Sequence, residues 1–269
     1  MLRLGIISDE TGHRNPRELF EYGVSRDIRC FELRYLYGKR VPNLSDDEMI
    51  ELKSLIRDRG VSISAISPGL FKCSLYDTAM EEHTGTLLSR SLDFAEEFEV
   101  YKLIIFGVQR SHSDRPEDKE RVLHILGEAA HAASKRGITI CMENEPGWWA
   151  DTPQNVYDIL KNLESAGLWL NWDPGNLFVT GVSDYKPGYE MLKRFIRHVH
   201  AKDAVFLSNT AEKYKHVPLG QGSVRWDKQL ADLVKDGYCG DISIETHCEP
   251  LQANSDINIE YIRKTIRLV

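Results

Sequence analysis

Residues 139–146 read TICMENEP, an apolar run that closes on two carboxylates, Glu143 and Glu145. In an extended chain alternate residues share a face, so Cys141 and Glu143 look one way while Ile140 and Met142 look the other. One acidic strand end means little, because strand ends are solvated and acids are common there. The same parity recurs in three later runs. In LWLNWDPGN (168–176) Asn171 and Asp173 oppose Leu170 and Trp172; in RHVHAKD (197–203) His198, His200 and Lys202 oppose Val199 and Ala201. In DISIETH (241–247) Ser243, Glu245 and His247 oppose Ile242 and Ile244. If the apolar faces pack under helices, the polar faces must share an interior.

Moving outward, short runs rich in Ile, Val and Phe recur eight times, each followed by a polar segment and a stretch of helical periodicity. The candidate strands are 2–8, 29–34, 62–67, 101–107, 139–144, 168–173, 196–203 and 241–247. Between them LSDDEMIELKSLIRDRG carries a Ser45 N-cap with Glu48 three positions on, and stops at Gly60. A second helix runs from Asp114 to Gly137, and a third places Pro153 in its first turn. Gly60, Gly137, Gly167 and Gly237 each fall just before a candidate strand. The sixth unit is the least regular, since Pro187 and Gly188 crowd the start of its helix. Unbroken βα alternation predicts parallel strands with helical crossovers, and eight repeats predict an α/β fold closed as a (β/α)8 barrel, one domain spanning 1–269. An open doubly wound sheet competes, but no GxGxxG turn follows the first strand.

Composition narrows the function classes. The net charge of -7 and pI near 5.8 argue against holding nucleic acid by phosphate neutralisation, and favour a small-molecule ligand. No window approaches the roughly 18 apolar residues of a membrane span, and the opening MLRLGIISDE meets acid too early for a signal peptide, so a cytoplasmic location without membrane contact is expected. The five cysteines are scattered, with no C-x-x-C spacing, and read as reduced thiols.

In a barrel, chemistry collects at the carboxyl ends of the strands. Glu143, Asp173, His200 and Glu245 would then converge at one mouth, where three carboxylates and an imidazole repel unless a cation joins them. An oxygen-rich set with one nitrogen suits Mn²⁺, Mg²⁺ or Co²⁺, and also admits Zn²⁺. Glu145 lies beyond the strand, in the loop. His198, one layer below His200, reads as a lining histidine, and Cys141 as packing. Glu32 and Arg34 share an inward face on the second strand, where an internal ion pair and a substrate contact are both open. Trp148 and Trp149 either wall the pocket or form a subunit contact.

The motifs CMEN, WDPGN, HVHAKD, PLGQG and SIETH, in this order and spacing, resemble the xylose-isomerase-like TIM-barrel superfamily of sugar isomerases and epimerases, inosose dehydratases and endonuclease IV. The resemblance implies that Glu143, Asp173, His200 and Glu245 bind one divalent ion, and that Glu143 and Glu245 also move protons on opposite faces of a sugar, as in the ketose 3-epimerase branch. Glu145, Asn176, Lys202, His216, His112 and Glu32 are the candidate substrate contacts, and the resemblance implies a sugar, sugar phosphate or cyclitol as substrate and a homo-oligomeric assembly. A keto-inositol dehydratase is the alternative reading. An abasic-site endonuclease is disfavoured, because Asn176 and Tyr214 stand where that branch has a histidine and an aspartate. A non-catalytic sugar-binding barrel is disfavoured by the intact ligand set. Gly220-Gln221-Gly222 departs from the GEG common among the sugar enzymes.

Overall fold

Each expected strand forms where β-branched residues can pack on both faces of a pleated surface. The computed structural model describes residues 2–208 and 212–267. Its first half contains β1 (Arg3–Ile7), α1 (Pro16–Ser25), β2 (Cys30–Leu33), β3 (Tyr35–Leu36), β4 (Lys39–Arg40), α2 (Asp46–Arg59), β5 (Ser62–Ile66), α3 (Ala79–Thr84), α4 (Thr86–Glu97), β6 (Lys102–Phe106) and α5 (Lys119–Ser134). The second half contains β7 (Thr139–Glu143), α6 (Pro153–Leu163), β8 (Leu168–Trp172), α7 (Pro174–Val179), α8 (Lys186–Leu192), β9 (Ile196–Ala201), β10 (Asp203–Phe206), β11 (Tyr214–Val217), α9 (Trp226–Lys235), β12 (Asp241–Ile244) and α10 (Leu251–Ile266). Eight strands close in the order β1-β12-β9-β8-β7-β6-β5-β2, so the expected barrel is present. Among the strand pairs of the barrel every ladder is parallel.

Local signals act as read. Ser45 and Glu48 form a reciprocal capping box at the start of α2, and Gly60 ends it in the left-handed region at φ 58°. Helix α6 buries Val156, Ile159 and Leu160, the i, i+3, i+4 stripe that seats it on the barrel. Two expectations shift. The helix expected from Asp114 begins later, with a 3-10 turn at Pro116–Asp118 leading into α5. The run expected as one strand to Asp203 breaks at Lys202, and Asp203 instead opens the antiparallel β10–β11 hairpin that stands over the mouth.

The lumen is layered. Ala65, Ile104 and Cys141 form a small apolar layer beside Trp169, so Cys141 packs as expected. Charged and polar side chains fill the remaining layers, and the larger apolar core lies between barrel and helices.

Candidate functional site

The parity rule delivers the four residues to one place. Glu143 ends β7, Asp173 caps α7 just past β8, His200 sits on β9, and Glu245 follows β12. Their donor atoms lie within 4.8 Å of one another, and all four side chains are buried. Barrel closure explains the meeting, since these strands are consecutive staves.

Neighbouring side chains aim the donors. Asn176 Nδ2 donates to Glu143 Oε1 at 2.9 Å. Asn144 clamps the Asp173 backbone, donating to its carbonyl at 2.7 Å and accepting from its N–H at 2.9 Å. The Lys202 ammonium bridges Asp173 Oδ2 at 2.9 Å and Glu245 Oε2 at 2.8 Å. Arg34 donates to Glu245 Oε1 at 2.7 Å and to Asp9 at 2.8 Å, and also contacts Glu10.

Protonation follows from these neighbours. Burial pushes Glu245 up, yet the Lys202 charge and the nearby histidines hold it well below the usual carboxylate range. Glu143 is likewise lowered: burial pushes it up, but the charge and close contact of His200 together with the Lys202 charge outweigh it. Asp173 is different: burial, with Glu245 and Glu143 beside it, lifts it to about 7 against the pull of Lys202. Burial and the Glu143 charge push Glu145 up to about 8.

The remaining candidates divide. Lys202 and Asn176 belong to the cluster, and Glu145 stands next to it with its Oε2 buried and unpartnered. His216, on β11, donates to or accepts from no carboxylate of the cluster; its Nδ1 faces the Asp203 carbonyl at 3.3 Å, and its ring lies 5.2 Å from that of His247. His112 is exposed on the loop between β6 and α5, apart from the carboxylates that converge. Glu32 does not pair with Arg34; it is fully buried beneath the mouth, between His198 and His200. Trp149 is a packing residue, buried with its indole N–H donating to Asp114 at 3.1 Å, whereas Trp148 stacks near Phe106 at 5.9 Å.

Sequence reasoning missed Asp9, Glu10, Asn144 and Phe106. Phe106 is the register partner of Glu143, so the parity rule run back through Lys102 and Ile104 would have found it. Asp9 and Glu10 lie past the end of β1, where alternation no longer applies. The PLGQG loop also gains a role: the Asp203 carboxylate accepts from the backbone N–H groups of Ala204, Gly220, Gly222 and Val224 at 2.8, 2.9, 3.1 and 3.0 Å.

A divalent ion fits these residues. His200 Nδ1 is buried without a hydrogen-bond partner, Asp173 Oδ2 meets the Lys202 ammonium at 2.9 Å, and both atoms belong to the cluster of donors. The donor chemistry is three oxygens and one imidazole nitrogen, and the Lys202 ammonium stands in for positive charge where two of the carboxylates meet.

Comparison with known proteins identifies the family. The family model described as xylose isomerase-like TIM barrel matches residues 20–265. An uncharacterized protein of Methanocaldococcus jannaschii, MJ1311, is 31% identical over 124 residues, 45% of this chain and 41% of that protein. The L-ribulose-5-phosphate 3-epimerase UlaE of Escherichia coli is 23% identical over 215 residues, covering 77% of this chain and 72% of the enzyme. Among solved structures, the IOLI protein with a bound zinc atom shares the fold with a TM-score of 0.81 at 17% identity, covering 99% of this chain and 98% of that one. The chain belongs to the xylose isomerase-like TIM barrel family.

Proposed function

We propose that this chain is a divalent-metal-dependent isomerase or epimerase of a sugar or sugar phosphate, moving a proton at the carbon beside a carbonyl through an enediolate. One observation carries the reading: four buried side chains bring donor atoms within 4.8 Å, and one of those atoms, His200 Nδ1, is buried with no hydrogen bond of its own. Glu143, Asp173, His200 and Glu245 would hold the ion, Mn²⁺, Mg²⁺ or Co²⁺ by donor hardness, with Zn²⁺ also compatible. When bound, the ion supplies Lewis-acid stabilisation of negative charge developing on substrate oxygens.

The protein's own groups handle the proton. Glu143 and Glu245 arise from β7 and β12, which flank β8 and β9, so they approach the centre from its two sides. Both are held ionised by cationic neighbours, so either can begin as the base, and the pair suits removal from one face and return to the other. Lys202, Asn176 and Glu145 would bind hydroxyls or the carbonyl, with His216 contributing from β11 and His112 from the loop after β6. The epimerase relative supports the sugar-phosphate class. The acidic composition and scattered thiols support a cytoplasmic enzyme acting on small molecules, and homo-oligomerisation is part of the same reading. Among the described residues no helix is long and apolar enough to cross a membrane.

A second reading, a keto-inositol dehydratase using the same ligands, is favoured by one feature. Glu145, pushed up to about 8, keeps its proton near neutrality and could give it to a departing hydroxyl. The test uses Mn²⁺-loaded protein, a panel of ketoses, ketose phosphates and keto-cyclitols in D₂O, and NMR detection of exchange at the carbon next to the carbonyl. Exchange with unchanged carbon skeleton marks the isomerase or epimerase, and a conjugated product marks the dehydratase. Glu245→Gln is expected to lower exchange by about 10²–10⁴-fold with the circular dichroism spectrum retained; undiminished exchange in that variant refutes the assignment.

A further inference from the structure

Below the four candidate ligands lies a carboxylate that touches none of the substrate-facing groups. Glu32 stands on β2, separated from β9 by β1 and β12, and its side chain crosses the lumen to reach the histidines of β9. It has no exposed surface. Its Oε2 lies 2.8 Å from His198 Nε2 and 3.0 Å from His200 Nε2, and its Oε1 lies 3.1 Å from His200 Nε2. A buried carboxylate is costly unless paired, and an apolar residue of similar size would fill this layer more cheaply. Its presence therefore asks for a role.

We propose that Glu32 is the positioning residue of the metal site: it fixes the ring and proton of His200, so that the other nitrogen faces the three carboxylates. The proposal rests on the reading of Glu143, Asp173, His200 and Glu245 as ligands. The argument is one of donors and acceptors. An ionised carboxylate only accepts, so His200 Nε2 must carry a hydrogen, which leaves Nδ1 as the nitrogen whose proton a bound cation would displace to gain a lone pair. Nδ1 is the atom 3.5 Å from both Glu143 Oε1 and Glu245 Oε2, with no hydrogen bond of its own. A flipped ring or the other tautomer would turn an N–H toward the centre.

His198 completes the brace. Its Nε2 also contacts Ser243 Oγ at 3.0 Å, and its Nδ1 lies 3.3 Å from Lys102 Nζ, which in turn reaches Asp241 Oδ2 at 3.1 Å. Its Nε2–H is thereby directed at Glu32 Oε2, the oxygen that His200 Nε2 also reaches at 3.0 Å, so the carboxylate is held by both rings. The pair HVH, spaced two apart on one strand, thus supplies one ligand and one brace.

The test compares Mn²⁺ binding by equilibrium dialysis in wild type, Glu32→Gln and Glu32→Ala, alongside thermal unfolding of the metal-stripped proteins. Both variants are expected to bind one ion about 10–100-fold more weakly, with Glu32→Gln the milder because its amide oxygen can still accept from His200. Wild-type affinity in both folded variants, whatever their melting temperatures, overturns the positioning role and leaves the metal site standing. A wild type that binds no divalent ion removes the reading beneath it. Long-range ¹H–¹⁵N spectra of histidine-labelled, Mg²⁺-loaded wild type keep the proposal testable should both variants fail to fold: a neutral His200 ring with its hydrogen on Nε2 supports it, and one with its hydrogen on Nδ1 overturns it.

Discussion

Asp203 offers a quantitative test of how the loop over the mouth is held. Its buried carboxylate takes two backbone N–H groups on each oxygen: Ala204 and Val224 on Oδ1, Gly220 and Gly222 on Oδ2. Asp203→Asn preserves shape but converts one oxygen into an N–H₂ group, so two bonds are lost and two donors face a donor. Hydrogen bonds to a charged group contribute about 1.5–3 kcal/mol each, with less than full additivity. The expected loss is therefore about 3–5 kcal/mol, large against a typical domain stability of about 5–15 kcal/mol but short of unfolding the chain. Urea unfolding supplies the number, and limited proteolysis across residues 218–224 reports local loosening. Gly222→Ala provides the partner variant, because an added Cβ would sit 2.0 Å from Asp203 Oδ1 and 2.7 Å from the Ala204 carbonyl. Both changes break the same seat, so the double variant should lose much less than the sum of the singles. A loss under about 1 kcal/mol for Asp203→Asn, or full additivity with Gly222→Ala, refutes the carboxylate as organiser of the loop.

Two further outcomes test other parts of the scaffold. Ser45→Ala removes one half of the α2 capping box and should cost about 1 kcal/mol in urea unfolding, without effect on metal binding. Asp241, pushed up by burial but lowered overall by the Arg3 hydrogen bond at 2.6 Å and the Lys102 charge, contributes stability that is present above its unfolded pKa and lost as pH falls through the folded one. Asp241→Asn should therefore cost about 1–3 kcal/mol at pH 7, and the gap from wild type should close below about pH 4 in a pH series of denaturation curves; a gap independent of pH contradicts the pairing.

The fold was legible because two signals agreed along the chain. All eight candidate strands appear, and Gly60, Gly137, Gly167 and Gly237 each take positive φ at the helix-to-strand joints. Alternation within each strand also predicted which four side chains meet, since parity fixes the facing of a residue wherever the backbone stays extended. Its reach ends with the strand. Asp9, Glu10 and Arg34 form their network past β1 and β2, and the β10–β11 hairpin starts where the alternating pattern of HVHAKD continues in the sequence. Glu32 was legible as inward-facing but not in its partners, because contacts across a lumen depend on register between strands far apart in sequence. His112 was named from residue type alone, and nothing local in the sequence says how far a loop side chain stands from a strand end.

The most direct measurement is the manganese content of purified protein after equilibrium dialysis, for wild type and for Glu143→Ala and Asp173→Ala. One ion per chain in wild type, with affinity reduced more than about 100-fold in each variant, is the predicted result. A wild type that takes up no divalent ion, or variants that keep it at wild-type affinity, would contradict the convergence of Glu143, Asp173, His200 and Glu245 on a single cation.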